Sequence, residues 1–371
     1  MAYDLGNLPL GTLFAATTEA TATVVRYDER LGRSVVGEGC RSRADFIDAC
    51  ASLWIEGELV HLEDLVLHDA NMATRAPSHE LTIAHDVLRT RRRIYAHPPG
   101  WALSIEGIRQ LRGRPGNPEG FAPVPVEEDT LLKPEAAVEG EIDQDPLARE
   151  LAAIDAVLIS SSAALSGIYQ PVPPRPTIVE KSELVYEQDW DEDERLEEWR
   201  AVLIETENLP AVLRAVIILD AWNQLQVLQH ASWLGRLLAA AMLRKSGITT
   251  AHLLSFNVGL KSIARERRAS RDRDTRILVL LEAIKEAAEN GLKEHDRLLL
   301  ARQHMQHRLT GRRQNSKLPQ LIDLILSKPM VSSSMISKEL GVTVQGALKI
   351  ASELNLRELT GRGRFRAWGV V

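Results

Sequence analysis

Cysteine is almost missing from this 371-residue chain: only Cys40 and Cys50 occur, and no CxxC pair. That excludes a disulfide scaffold and a zinc knuckle, and it suits a reducing compartment. The opening "MAYDLGNLPL" lacks the basic start and apolar core of a secretory signal. Long hydrophobic runs are missing too. The most apolar stretch, "WLGRLLAAAML", contains an arginine and falls short of the ~20 residues that span a bilayer. A cytoplasmic location with no membrane partner is therefore expected. There is no repeat at fixed period, no GxSxG and no paired-carboxylate arrangement. "GRGR" near the C-terminus is not a P-loop, because no Lys-Ser/Thr follows it. His304 and His307 form HxxH without an acidic or Cys partner at ligand spacing, so a surface helix and no metal are expected.

What is present is an ordinary globular balance, with 44% apolar and 26% charged residues and length for two or three domains. The charge is uneven. From Thr310 onward ten Lys or Arg face four Asp or Glu, a surplus of +6, whereas the whole chain carries -6. A basic C-terminal module on an acidic body is the asymmetry of a protein that meets nucleic acid.

The periodicity predicts a mainly α protein in four segments. Residues 1–113 read as helical, with Phe46, Ile47, Leu53, Leu59, Leu62, Leu65 and Leu67 on one side. Ser78 caps a helix to about Ile94, and Ser104 caps a short one closed by Gly113. Residues 114–146 are rich in proline and acid and read as a surface excursion or linker. Residues 147–309 read as a helical core. It contains a helix over 146–162, an extended "YQPVPPRPT", and a long helical region from about Asp191 to Lys245. A helix opening at Thr249 or Thr250 and two charged amphipathic helices follow. "KSIARERRASRDRDTR" mixes seven basic with three acidic residues, a solvated face with DNA-backbone contact as the alternative.

Residues 310–371 read as three helices and a β-hairpin, a winged helix-turn-helix. Ser333 or Ser334 caps its second helix, Gly341 makes the turn, and Thr343 caps the third. That third helix turns Ala347, Leu348, Ala351 and Leu354 inward. In the last strand Phe365, Ala367 and Gly369 alternate with Arg364, Arg366 and Trp368. Thr343, Gln345 and Lys349 could read base edges, and Arg357, Arg362, Arg364 and Arg366 could reach phosphates. Double-stranded DNA is the expected partner, with a homodimer matching two-fold sites. A protein-interaction module is the alternative.

The segment "LPAVLRAVIILDAWNQLQVLQHASWLGRLLAAAMLRKSGI" resembles the heart of Fic-domain proteins, which transfer AMP from ATP to hydroxyl side chains. Their motif HPFx(D/E)GNGRxxR places its general-base histidine at His230 and its cradle glycine and first arginine at Gly235 and Arg236. Many carry an N-terminal (S/T)xxxE(G/N) helix, which "SLWIEG" matches from Ser52 through Glu56 to Gly57, and many end in a winged helix. The resemblance implies that Glu56 is an inhibitory carboxylate that pairs with a cradle arginine. The combination also looks like a bacterial group of unknown function with the tail "LRELTGRGRFRAWG". The motif departs from the family at several points. Two residues are missing between His230 and Arg236, the magnesium carboxylate and the asparagine have no counterpart, and Ala239 stands where the second arginine belongs. Without a metal carboxylate the triphosphate charge is not neutralised. His230 is then a core histidine, "HASWLGRLL" continues its helix, and Arg236 or Arg244 is left to meet Glu56.

The expectation is a DNA-binding protein, a transcriptional regulator on a catalytically degenerate Fic-like scaffold, with no cofactor. The alternatives are an AMP transferase using ATP and magnesium and held off by Glu56, and a protein-interaction adaptor.

Overall fold

A computed structural model describes residues 3–6, 8–72, 76–113, 190–309, 317–354, 356–359 and 366–370. The chain divides into two units, Met1–Gly120 with Asp191–Val371, and Phe121–Trp190. The linker expected at 114–146, the helix at 146–162, the extended stretch after it, and Arg362, Arg364 and Phe365 lie outside the described residues.

The first unit is mainly helical. Helix α1 (Leu10–Gly32), within the segment read as helical, buries Leu13, Ala20, Val24, Tyr27 and Leu31 at three- and four-residue spacing. Helices α2 (Gly37–Glu56), α3 (Leu62–Asp69), α4 (His79–Ala96) and α5 (Ile105–Leu111) follow. Two of them begin as the sequence predicts. Ser78 Oγ accepts from Leu81 N–H, and Ser104 Oγ accepts from Gly107 N–H. Leu59 is not on the apolar side; it is 69% exposed in the turn after α2.

The long helical region expected from 191 to 245 is three helices: α6 (Glu192–Glu205), α7 (Ala211–Leu225) and α8 (Leu234–Lys245). Gln226 breaks the second from the third by entering the left-handed region at φ 48°. Residues 227–233 are therefore loop, and "HASWLGRLL" does not continue the helix. No helix opens at Thr249 or Thr250. Asp28 captures that segment instead, accepting from the backbone N–H groups of Thr250 and Ala251 and from the Thr250 hydroxyl. Helices α9 (Phe256–Lys261) and α10 (Arg265–Arg268) come next. The two amphipathic helices expected after them are one, α11 (Arg273–His307), capped by Asp272.

The C-terminal helix-turn-helix consists of α12 (Leu318–Ser327), α13 (Ser333–Leu340) and α14 (Val344–Glu353). Ser332, rather than Ser333 or Ser334, caps α13. Gly341 turns the chain at φ 63°, and Thr343 Oγ1 accepts from Gly346 N–H to cap α14. Ala347, Ala351 and Leu354 are buried; Leu348 is only half-buried. Strands β1 (Val331–Ser332), β2 (Arg357–Glu358) and β3 (Ala367–Gly369) form an antiparallel sheet in the order β1-β3-β2, with Trp368 opposite Val331 and Glu358. Trp368 is buried with Ala367 on the central strand, and the Arg366 guanidinium lies over its ring at 5.5 Å from the centroid.

Helix α2 organises the unit. It packs against α4, α9 and α11 and, near its start, against α12. Gly39 lies beneath α12, where a Cβ would meet the Leu326 carbonyl oxygen at 2.8 Å. Arg91 of α4 is fully buried and crosses to α2, donating to Asp45 at 3.0 Å, Asp48 at 2.5 Å and the Leu253 carbonyl at 2.8 Å. Asp48 also takes the N–H groups of Asn257 and Val258 at the start of α9. One carboxylate–guanidinium network thus fixes three segments distant in sequence.

Candidate functional site

The last turn of α2 carries Ser52, Trp54 and Glu56, and Gly57 ends the helix. At φ 97° Gly57 adopts the left-handed cap, and its N–H returns to the carbonyls of Leu53 and Trp54. Glu56 is thereby left on a helix end instead of a flank. Helix α8 begins opposite, its first turn holding Gly235 and Arg236. Arg236 Nη2 donates to Glu56 Oε1 at 2.8 Å and to Ser52 Oγ at 2.9 Å. The Ser232 hydroxyl donates to the same Glu56 oxygen at 2.8 Å. A carboxylate held at the start of α8 also meets the positive end of its dipole. Arg236 is 7% exposed, and its Nε is buried with no partner among the described residues.

The structure therefore brings Ser52, Glu56 and Arg236 together across 180 residues of sequence. Arg244, the other candidate partner, is committed elsewhere, donating to the carbonyls of Ile94 at 2.9 Å and His97 at 2.8 Å. Ala239 is fully buried and offers no countercharge. Gly235 has a packing reason to be glycine: a Cβ there would stand 2.3 Å from Trp222 Cδ1. His230 lies in the 226–233 loop, with Nδ1 3.4 Å from Glu192 Oε1, while its buried Nε2 has no partner among the described residues. It is thus not on a helix, contrary to the expectation of a core helix histidine.

The other candidate surface is the helix-turn-helix. Thr343, Gln345 and Lys349 are exposed on α14, and Arg357 is exposed on β2. Arg366 is exposed but engaged, donating through Nε and Nη2 to Glu358 Oε2 at 2.9 and 2.7 Å. His304 and His307 are exposed on α11.

Sequence reasoning missed what holds this head to the body. Arg43 of α2 is 2% exposed and donates to Glu294 at 3.0 Å. It also donates to the carbonyls of Lys328 at 2.6 Å, Val370 at 3.3 Å and Ile325 at 3.5 Å. It reaches the end of α12 and the residue after β3 at once. "RSRAD" offers no local signal of this, because three of the four acceptors are backbone carbonyls about 280 or more residues away. A cavity of about 830 Å³ opens beside the same joint, between the early turns of α2, Tyr95 of α4, and Gln320 and Asp323 of α12.

The class is a helical body carrying a C-terminal helix-turn-helix DNA-binding domain. Residues 318–371 match the family model described as an HTH DNA binding domain, and residues 184–310 match one described as a protein of unknown function, DUF1612. The chain is 54% identical to the uncharacterized protein y4cF of Sinorhizobium fredii (strain NBRC 101917 / NGR234), over the full length of both. The chain belongs to the same family as that protein. Among the described residues no helix is long and apolar enough to cross a membrane.

Proposed function

We propose that the protein is a transcriptional regulator that binds double-stranded DNA through residues 310–371 and acts in the cytoplasm as a homodimer. The observation that carries this reading is the exposed face of α14, where Gln345 and Lys349 stand free of the core that Ala347 and Ala351 complete. A helix presented in this way enters a major groove with polar side chains at base edges. Arg357, Arg362 and Arg364 supply phosphate contacts, and a dimer would set half-sites about one helical turn apart. The test compares the full chain with a truncation ending at Thr310, by fluorescence anisotropy on selected duplexes. Binding should be lost with the head. Equal affinity for both proteins would overturn the reading and favour the protein-interaction adaptor.

A second reading concerns the body, and the Arg236–Glu56 pair favours it. The body is a Fic-like scaffold in which Glu56 occupies the place of an anion and catalysis has been lost, so that neither ATP nor magnesium is used. Labelled ATP offered with candidate target proteins should leave no label on any of them, with Glu56→Gly as with the parent. Label that appears with Glu56→Gly and vanishes when His230→Ala is added would restore the AMP-transferase alternative.

A further inference from the structure

The C-terminal end of α2 carries a second feature besides Glu56. Trp54 is 38% exposed, and two cations lie on its ring: Lys261 Nζ and the Arg268 guanidinium, each 5.4 Å from the centroid. Lys261 ends α9 and Arg268 ends α10, so three elements converge on one indole. Arg265 stands on the same short helix. Burial first, and then the charges of Arg265 and Arg236, pull the Arg268 pKa below its ordinary value.

The cations here differ from the basic residues around them in having no acid to answer. Arg267 is tied to Glu282 through both terminal nitrogens, and Arg276 to Asp220. Lys261, Arg265 and Arg268 make no ion pair among the described residues, and Arg268 Nε is buried without a hydrogen-bond partner. At Arg268 the charge of Glu266 partly offsets the like charges. Like charges gathered without counterions repel, and an external polyanion relieves that repulsion.

We propose that Trp54, Lys261, Arg265 and Arg268 form a second DNA-contact surface, which grips phosphates of the duplex beyond the site engaged by the helix-turn-helix. Trp54 acts as the positioning platform that holds the Lys261 and Arg268 heads, and the cations make the contacts. A phosphodiester backbone suits the group, because its cations stand on two helices about one partly exposed ring. Along α2 the patch lies a short way from the joint with the head. Gly39 and Arg43, where α2 meets the head, precede Trp54 by fifteen and eleven residues, roughly 16–22 Å along a helix. That is about five to seven base pairs at 3.4 Å each.

This inference rests on the DNA-binding reading, and the experiment separates the two. The full chain is titrated with a duplex that extends about 15 base pairs past the protected site on each side, over a range of salt, alongside footprinting. Lys261→Glu combined with Arg265→Glu changes two exposed residues, so a melting curve matching the parent certifies the fold. Adding Arg268→Ala completes the patch. The expected result is a log–log salt slope flatter by up to about 2.7 units for the triple change, at ~0.9 per phosphate contact. The footprint should also shorten on one side, with sequence preference unaltered. Trp54→Ala should flatten the slope by less. Unchanged slope and footprint, in variants that still lose binding when Gln345 and Lys349 are replaced by Ala, would overturn the second surface and leave the head as DNA reader. If the parent chain binds no duplex at all, both proposals fall.

Discussion

The two ends of α2 handle the same chemical problem, a nearly buried arginine, in opposite ways. At the N-terminal end Arg43 is met by one carboxylate and three backbone carbonyls. At the C-terminal end Arg236 is met through one nitrogen by the side chains of Ser52 and Glu56, and its Nε has no partner among the described residues. Carbonyl acceptors move only if the backbone moves, so the first arrangement joins the DNA-binding head to the body. Side-chain acceptors can swing away, so the second is a contact that another anion could replace. The difference lies in the acceptors rather than in burial, since the two arginines are 2% and 7% exposed.

Breaking the sealed end should have the largest effect. Arg43→Ala leaves the Lys328 and Val370 carbonyls without their donor and Glu294 with Arg297 as its cation. Each buried acceptor left unsatisfied costs about 1–3 kcal/mol, so the two carbonyls together make this the largest loss. Urea unfolding should show that loss, and hydrogen exchange should show the amides of α12 exchanging faster before α4 does. If α12 keeps its protection, Arg43 is not what fixes the head.

A carboxylate of α1 anchors the segment that leads into α9, and acid should release that anchor. The Asp28 carboxylate accepts from Thr250, Ala251 and His252, and thereby sets the segment leading into α9. Burial opposes its ionisation, but the hydrogen bonds from His252 and Thr250 outweigh that and bring its pKa to about 2, against an ordinary 3.8. A depressed carboxylate contributes stability above its unfolded pKa and loses it as pH falls through the folded value. Stability should therefore drop by about 2 kcal/mol as pH falls from roughly 4 to 2. Asp28→Asn should remove a similar amount at neutral pH and flatten that part of the acid limb. A parental acid slope in Asp28→Asn would assign the effect to other carboxylates.

The contrast between local and distant causes also explains what was legible in the sequence. Ser78, Ser104, Gly341 and Thr343 do what their neighbours dictate, because a cap or a left-handed turn is satisfied within four residues. Thr250 looks equally like a cap, but a carboxylate 222 positions away takes its N–H, so no helix starts there. The break at Gln226 carries no glycine or proline to announce it. The buried Arg91 network and the Arg43 joint are invisible locally, since their acceptors come from segments far along the chain. The meeting of Ser52 and Glu56 with the start of α8 was foreseeable only through the family resemblance, and the missing second arginine pointed to Arg236 or Arg244 as the partner. Arg236 has that position.

The smallest effect should come from the open end itself, and it tests the comparison most directly. Glu56 is about a quarter exposed and Arg236 scarcely at all, so the pair is neither a surface bridge nor a sealed one. Glu56→Ala leaves Arg236 with Ser52 as its hydrogen-bond partner, whereas Arg236→Ala leaves Glu56 with Ser232. Each single change should cost about 1–3 kcal/mol, the range for a hydrogen bond to a charged group. The double change should cost less than the sum, with a coupling of about 1–2 kcal/mol in a mutant cycle followed by urea unfolding. A coupling near zero would mean that water already competes for the carboxylate and that the pair behaves as exposed ion pairs do. A coupling as large as the loss from Arg43→Ala would mean that this end is sealed too. In that case Glu56 would be a structural carboxylate, and no external anion could displace it at ordinary concentrations. The intermediate value is what an occupant held by side chains alone should give, because Ser52, Ser232 and Glu56 can each rotate away while α2 and α8 stay in place.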